Sequence, residues 1–173
     1  MRIDGDIIYL TSITYDDTDD IVRWRNSEAI REQFIYRQKF TAEGHNNWMR
    51  TKVETGQVVQ FIVWDKASDT KIGSIYLRDI DREQGHAEYG VFLGETQYIG
   101  RGIGKECYRL LLNYAFTELG LNTVFIRALA DNIRSIKCAE HVGFTATGER
   151  ETIEVDGQQH DIVFMEIKAG QVK

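Results

Sequence analysis

Three glycines alternate with other residues in the segment YIGRGIGKEC, residues 98–107, and a lysine follows the last of them. Glycine lets a backbone approach a ligand closely, and the first N–H groups of a helix that begins there are free to bind an anion. Arg101 and Lys105 add full positive charges to the segment. The pattern predicts a binding site for a phosphate or pyrophosphate group. The alternative is a glycine-rich turn that binds no ligand.

Two common phosphate-binding loops do not match this spacing. A P-loop has a glycine five residues before its Gly-Lys pair and Ser or Thr after the lysine. Those positions hold Ile99 and Glu106 in this chain. A dinucleotide-binding fingerprint that starts at Gly100 needs its third glycine at Lys105, so this motif fails too. A G-x-G-x-G segment therefore remains, placed between a predicted strand and a predicted helix.

The elements that position this segment follow from the spacing of apolar residues and from turn signals. Strands are predicted over residues 7–13, 58–65, 71–80, 85–94 and 122–130, and on both sides of Asp156-Gly157. Helices are predicted over residues 16–30, 41–56, 105–120 and 131–144. This order predicts one α/β domain over residues 1–173, with a mixed central sheet of about seven strands flanked by helices.

Composition excludes several classes of protein. The net charge is −6 and the chain contains no dense block of Lys and Arg, which argues against nucleic-acid binding. Cys107 and Cys138 lack metal-type spacing, as do the four histidines, so we predict reduced thiols and no metal site. No segment approaches the about 20 apolar residues that cross a bilayer. We expect no membrane association and a cytoplasmic location.

The glycine-rich segment resembles motif A of the GNAT acyltransferase superfamily, Gln/Arg-x-x-Gly-x-Gly/Ala. Gly102 and Gly104 occupy its two small positions, and Ile99 stands where Gln or Arg is usual. The segment EYGVFLGE, residues 88–95, looks like the fourth strand of that family. The resemblance covers nearly the whole chain, which makes it far more specific than one short motif.

Three further segments carry this resemblance. DNIRSIKCAEHVGF, residues 131–144, looks like a later family motif that begins with Asn and ends with Gly-Phe. VRWRNSEAIREQF, residues 22–34, and VDGQQHDIVFMEI, residues 155–167, are most similar to the RimJ/RimL-type and amino-sugar acetyltransferase branches. The resemblance implies a GNAT-like fold and direct transfer of the acetyl group of acetyl-CoA to a primary amine.

The resemblance also implies where acetyl-CoA binds. The pyrophosphate is expected on backbone N–H groups between Gly100 and Lys105, and the pantetheine arm beside the fourth strand, as an added strand would lie. Asn132 is expected to contact CoA from the other side, and its alternative role is that of a helix N-cap. The expected cofactor-binding residues are Val91, Phe92, Leu93, Gly100, Arg101, Gly102, Ile103, Gly104, Lys105, Asn132 and Lys137.

Glu88 is the predicted general base, since it lies on the strand beside the expected thioester position. The alternative is a structural carboxylate paired with an arginine such as Arg78. Many members of the family carry a general-acid tyrosine in the last helix, at the position that Ala139 occupies here. Tyr89 or a water molecule is the expected replacement, unless the thiolate leaves unprotonated.

Aromatic and polar residues of the first helices are the candidates for the acceptor site. The predicted set is Trp24, Arg25, Phe34 and Tyr36, with His45 and Trp48 as further candidates, and the alternative for all of them is core packing. The expected acceptor is a small-molecule amine such as a nucleotide-linked amino sugar. The alternatives are a protein N-terminus and a CoA-binding module without catalysis. A homodimer is compatible with these readings, since dimers are common for this kind of domain.

Overall fold

Eight strands form one mixed sheet in the computed structural model, which describes residues 1–173. They are β1 (Arg2–Asp4), β2 (Ile8–Ser12), β3 (Val59–Asp65), β4 (Thr70–Asp81), β5 (His86–Leu93), β6 (Thr123–Leu129), β7 (Thr145–Val155) and β8 (Gln158–Lys168). Their order in the sheet is β1-β2-β3-β4-β5-β6-β8-β7. All neighbouring strands are antiparallel except β5 and β6, which are parallel.

The sheet confirms the predicted α/β class, with one strand more than the sequence indicated. The additional strand is β1, which has only three residues and pairs with β2 at the edge of the sheet. Its single partly buried residue, Ile3, lies between the exposed residues Arg2 and Asp4, so the alternation spans only three residues. A strand this short and this exposed leaves no periodic signal in a sequence.

Five α-helices connect the strands. They are α1 (Thr18–Asn26), α2 (Glu28–Arg31), α3 (Ala42–Trp48), which continues as a π-helical turn over Met49–Val53, α4 (Ile103–Thr117) and α5 (Ile133–Val142). The helix predicted over residues 16–30 is divided at Ser27, whose backbone is extended and whose hydroxyl donates a hydrogen bond of 2.7 Å to the Trp24 carbonyl. That hydroxyl competes with the helical hydrogen bonds. None of the helices is long and apolar enough to cross a membrane.

Each face of the sheet carries its own hydrophobic core. Phe61 and Val63 belong to a cluster of 23 buried residues that packs against α4 and α5. Ile62, between them in the chain, belongs to a second cluster of 7 residues that includes Trp24 and Phe92. Successive residues of a strand point to opposite faces, which explains the division. Helices therefore flank the sheet on both sides.

The two parallel strands in the middle of the sheet separate along their length. The ladder between β5 and β6 joins His86–Glu88 to Thr123–Phe125 and ends there, although the strands continue to Leu93 and Leu129. Beyond Glu88 the two facing edges have no strand between them. The separation leaves unpaired backbone groups along an opening in the sheet, and this opening positions the candidate site.

Candidate active site

A cavity of about 730 Å³ occupies the opening between β5 and β6. Its walls come from the segment 29–36 after α1, from β4 and β5, from the glycine-rich segment, and from β6 and α5. Its volume is in the range of cavities that hold ligands of the size of a cofactor. About half of its lining residues are apolar and the others are glycine, polar or charged, a mixture typical of a binding site.

The glycine-rich segment forms one end of this cavity. Gly100 and Gly102 have φ angles of +86° and +82°, which glycine adopts without strain. Gly102 is the N-cap of α4, and no side chain caps that helix end. A Cβ atom at either glycine would meet no atom within 4 Å. The first turn of a 15-residue helix is therefore open to a ligand, as a pyrophosphate requires.

The cavity brings together most of the residues that the resemblance assigned to the cofactor. The residues of that set that line it are Val91, Phe92, Leu93, Gly100, Gly102, Gly104, Lys105 and Asn132. The side chains of the other three lie outside the cavity, so only the backbone N–H groups of Arg101 and Ile103 stay candidates for the pyrophosphate. Arg101 is exposed beside the Tyr98 ring, Ile103 is buried in the core and Lys137 is exposed on α5.

Several residues of the cavity were not predicted from the sequence. Arg134 and Ser135 of the first turn of α5 line it, as do Tyr108 of α4 and Ile126 and Arg127 of β6. Arg134 lies two residues after the Asn132 cap. The motif of residues 131–144, which predicted a CoA contact at Asn132, could therefore have predicted one at Arg134 as well. The β6 residues carried no such signal, because only the separation of β5 from β6 exposes them.

Helices α4 and α5 meet closely at this end of the cavity. A Cβ atom on Gly104 would lie 3.3 Å from the Cys138 sulfur, so the glycine permits the contact. Cys138 lines the cavity and is partly buried, whereas Cys107 is fully buried in the core, as expected for a packed thiol. Burial raises the pKa of the Cys138 thiol, and the charge of nearby Lys105 acts in the opposite direction.

We expect N-ethylmaleimide to label Cys138 and to spare Cys107, and acetyl-CoA to slow the labelling. The thiolate is the reactive form, and the raised pKa of Cys138 keeps its fraction small near neutral pH. The labelling rate should therefore rise about tenfold with each pH unit until that pKa is passed. Mass spectrometry of peptides identifies the labelled thiol. A rate that acetyl-CoA does not change would contradict a cofactor site in this cavity.

Glu88 lies at the other end of the cavity, beneath two arginine side chains. Arg78 donates a hydrogen bond of 2.7 Å to one oxygen of its carboxylate, and Arg127 lies 3.2 Å from the other oxygen. The carboxylate is buried, whereas both guanidinium groups are partly exposed. The pairing with Arg78 is the structural alternative that the sequence left open, and Arg127 adds a second partner.

Tyr89 faces the opposite side of β5 from Glu88 and also lines the cavity. Its ring stacks on that of Tyr108, with 4.2 Å between the centroids, and its buried hydroxyl has no hydrogen-bond partner. Burial is the main cause that raises the pKa of Tyr89 well above its ordinary value. The hydroxyl therefore stays protonated and can donate a hydrogen bond. Ala139 is fully buried nearby on α5 and offers no such group.

The predicted acceptor residues divide into two groups. Phe34 and Tyr36 line the cavity, and Tyr36 stands at its mouth with 49% of its surface exposed. Trp24 and Arg25 are buried and do not line the cavity, so the structure does not bring them together with Phe34 and Tyr36 at its surface. The Trp24 indole donates a hydrogen bond of 2.9 Å to Glu95, which anchors it in the core.

Arg25 instead packs against Phe34, whose ring lines the cavity. Its guanidinium lies 3.3 Å from the centroid of the Phe34 ring and 4.5 Å from that of Phe40. Burial lowers its pKa to about 10. His45 is likewise buried away from the cavity, with its pKa lowered by burial, and Trp48 binds Gln60. Of the aromatic residues in the predicted set, Trp24 packs in the core, which was the alternative role.

No group of three or more His, Cys, Asp or Glu side chains is arranged to hold a metal ion. The polar groups of the cavity are instead guanidinium, hydroxyl and amide groups with the carboxylate of Glu88. This set suits binding of anions and transfer of protons. An open helix N-terminus and two unpaired strand edges along one cavity are features that can hold an extended, phosphate-bearing ligand.

Residues 8–145 match the family model described as the acetyltransferase (GNAT) domain, which covers most of the chain. The chain belongs to the GNAT acetyltransferase domain family. The predicted family is therefore confirmed, and the match does not distinguish among its branches.

Two curated relatives are named N-acetyltransferases. The chain is 31% identical to the "Putative ribosomal N-acetyltransferase YdaF" of Bacillus subtilis, over 68% of this chain and 63% of the relative. It is 34% identical to the "Uncharacterized N-acetyltransferase p20" of Bacillus licheniformis, over 54% of this chain and 52% of the relative. The chain thus matches less than two thirds of the length of each.

Solved structures show the same fold. The crystal structure of spermidine N-acetyltransferase from Vibrio cholerae, in complex with CoA and spermine, superposes with a TM-score of 0.88 at 20% identity. The superposition covers 96% of this chain and 98% of that one. At such low identity the likeness establishes the architecture.

Proposed function

We propose that this protein transfers the acetyl group of acetyl-CoA to the primary amine of a small molecule, with both substrates bound at once. One observation carries the proposal: β5 and β6 separate over a cavity that has an uncapped helix N-terminus at one end and Glu88 at the other. Direct transfer needs two aligned substrates and no covalent enzyme intermediate. Membership of the GNAT family supports the same reaction.

The proposed cofactor contacts use the backbone more than side chains. The N–H groups between Gly100 and Lys105 bind the pyrophosphate, and the free edge of β5 over Val91–Leu93 pairs with the amides of the pantetheine arm. The Asn132 side chain accepts a hydrogen bond of 3.2 Å from the Ser135 N–H, so it caps α5. Its amide N–H groups are left for the ligand. Lys105 and Arg134 add positive charge beside the phosphates.

Acetyl-CoA, when bound, supplies a thioester that an amine can attack. We propose that Glu88 takes the proton of the acceptor ammonium through a water molecule, because two guanidinium groups cover the carboxylate itself. The Tyr89 hydroxyl, which has no partner, donates a hydrogen bond where the leaving sulfur lies. A backbone N–H of β5 near Phe92 or Leu93 orients the thioester oxygen.

The aromatic wall of Phe34 and Tyr36 supports a small acceptor with a flat ring, such as a nucleotide-linked amino sugar. A second candidate is a protein N-terminus, as in the RimJ/RimL-type branch. The observation that favours it is the similarity to YdaF, which is named a ribosomal N-acetyltransferase. A folded protein substrate requires an open path at the cavity mouth, where Tyr36 stands half exposed.

The experiment that tests the proposed function is calorimetric titration of the purified protein with acetyl-CoA, CoA and NADH in parallel. We expect acetyl-CoA and CoA to bind in the micromolar range and NADH not to bind, because only the first two present the pantetheine arm to β5. Release of CoA thiol then reports transfer to added amines and to peptides with free N-termini. Absence of acetyl-CoA binding would overturn the proposal. Binding without transfer to any acceptor would favour a CoA-binding module.

A further inference from the structure

The acceptor end of the cavity presents positive charge to a ligand. Arg78 and Arg127 line the cavity with 20% and 22% of their side-chain surfaces exposed, whereas Glu88 beneath them is 8% exposed. Each arginine binds a different oxygen of the Glu88 carboxylate, and Arg78 also lies 3.7 Å from the exposed carboxylate of Asp79. Water screens the charge of Asp79, so Glu88 is the one buried negative charge beside two guanidinium groups. The charge that a ligand meets is therefore that of the guanidinium groups.

The sheet itself places both arginines there. Arg78 is the direct cross-strand partner of Glu88 in the ladder between β4 and β5. Phe125 is the partner of Glu88 in β6, and Arg127 lies two residues further on the same face. The arginines therefore stand on two rigid strands, one on each side of Glu88. Such pre-ordered guanidinium groups bind carboxylates and phosphates with two hydrogen bonds each.

A third arginine, Arg25, adds positive charge on the side of the Phe34 ring that faces away from the cavity. Arg25 is 7% exposed, and the Nε and Nη1 atoms of its guanidinium have no hydrogen-bond partner. Its nearest ring is Phe34, which lines the cavity. No carboxylate within the core compensates it. Buried charge is weakly screened, so Arg25 adds to the potential that an acceptor encounters.

We propose that the acceptor is an amine that also carries an acidic group, a carboxylate or a phosphate, and that Arg78 and Arg127 bind this acidic group. The inference rests on the proposed transferase function. The ammonium group of such an acceptor reaches Glu88 through the water molecule of the proposed mechanism, while its acidic group meets the two guanidinium groups that cover the carboxylate. A polyamine brings further ammonium groups against two guanidinium groups, and this like-charge contact is unfavourable.

The surroundings also contain carboxylates that a cationic acceptor would use. Glu32 is exposed at the rim of the main cavity. A smaller cavity of about 350 Å³ shares Tyr36 and Arg127 with it and is lined by Glu151 and Glu154. All three carboxylates are exposed, so water screens them more than it screens the partly buried arginines. A polyamine is nevertheless the sharpest competitor in an experiment.

The test compares amines in pairs that differ only in the acidic group. The phosphate pairs are O-phosphoethanolamine with ethanolamine and glucosamine 6-phosphate with glucosamine; the carboxylate pair is glycine with glycinamide; spermidine is the cationic arm. Release of CoA thiol from acetyl-CoA gives kcat/KM for each. We expect the acidic member of a pair to be at least about 10-fold better, as for a hydrogen bond to a charged group. Preference for the neutral members or for spermidine would overturn the inference and leave the transferase function standing.

Variants separate recognition of the acidic group from general damage. Arg127→Gln and Arg78→Gln should each raise KM for the acidic amine about 10- to 100-fold and leave KM for its neutral twin within about 2-fold. Arg109→Gln, an exposed residue of α4 outside the cavity, is the matched control and should change neither value. An equal rise for both twins would mean that the arginines only support the fold.

If no amine of the panel is acetylated, binding of inorganic phosphate still tests whether Arg78 and Arg127 bind an acidic group. With CoA saturating the cofactor end, phosphate should shift the side-chain Nε–Hε signals of Arg78 and Arg127 in nuclear magnetic resonance spectra, and Arg127→Gln should weaken this binding. No shift at millimolar phosphate would overturn the inference. Failure of acetyl-CoA itself to bind would instead refute the proposed function on which it rests.

Discussion

Gly102→Val should abolish measurable binding of acetyl-CoA and leave the protein folded. Gly102 is the N-cap of α4 with φ +82°, and a Cβ atom there would project into open space of the cavity. A valine at this φ costs on the order of 1–2 kcal/mol of strain, which a domain tolerates. It also blocks backbone approach to the pyrophosphate. Loss of two hydrogen bonds to a charged group predicts about 100- to 10,000-fold weaker binding by calorimetry.

The chain provides a matched control on the same helix. Gly120 follows the C-terminal end of α4 with φ +67°, and a Cβ atom there also meets no atom within 4 Å. Gly120→Val carries the same kind of backbone strain but lies far from the cavity. We expect it to lower the thermal midpoint as Gly102→Val does and to keep wild-type affinity. If Gly102→Val binds acetyl-CoA normally, the pyrophosphate site lies elsewhere.

Glu88→Gln should lower kcat about 100- to 1,000-fold and leave the dissociation constant of acetyl-CoA unchanged. A general base contributes about 10²- to 10⁴-fold to a rate, and glutamine cannot accept the proton. The substitution preserves the shape of the side chain and one hydrogen-bond acceptor for Arg78. Stopped-time thiol release measures kcat, and calorimetry measures the cofactor affinity. Glu83→Gln, an exposed residue between β4 and β5, is the control and should behave as wild type.

The kcat of Glu88→Gln and its dependence on pH distinguish a general base from a residue that only positions the two arginines. If Glu88 moves the proton, the rate of Glu88→Gln should depend on pH only through the acceptor amine. If Glu88 only holds Arg78 and Arg127 in place, kcat should persist while KM for the acceptor rises. The thermal midpoint should fall in both cases, because the substitution weakens both ion pairs. Removal of one partner of a buried ion pair costs about 3–5 kcal/mol of unfolding free energy. An unchanged kcat would therefore withdraw Glu88 as the base.

Local patterns in the sequence were sufficient for most elements of the fold and for the glycine-rich start of α4. The sequence predicted seven of the eight strands: apolar and β-branched runs indicated the buried ones, and the Asp156-Gly157 turn indicated β7 and β8, although β7 is almost entirely exposed. The glycines of residues 100–104 predicted an open helix N-terminus, since no other residue adopts those φ angles freely. Both signals depend only on residues close together in the chain.

The roles of the aromatic residues and of Ser27 were decided by tertiary packing. An aromatic residue in the core and one in a substrate-binding wall recur at the same helical spacing. The sequence therefore did not show that Trp24 is buried and that Phe34 lines the cavity. Trp24 packs beneath Phe92, whereas Phe34 follows the break at Ser27 and reaches the cavity. Where a helix ends relative to the sheet determines which aromatic residue is accessible.

The sequence alone determined a GNAT-like α/β domain and a glycine-rich helix N-terminus, and it predicted a phosphate site there and a general base at Glu88. Only the tertiary structure decided that Arg127, 39 residues after Glu88, lies beside it. The physical reason is the parallel pairing of β5 with β6, which joins distant segments and then ends, so that both edges open onto one cavity. Pairing between distant strands is set by the packing of the whole sheet, and no local pattern encodes where it stops.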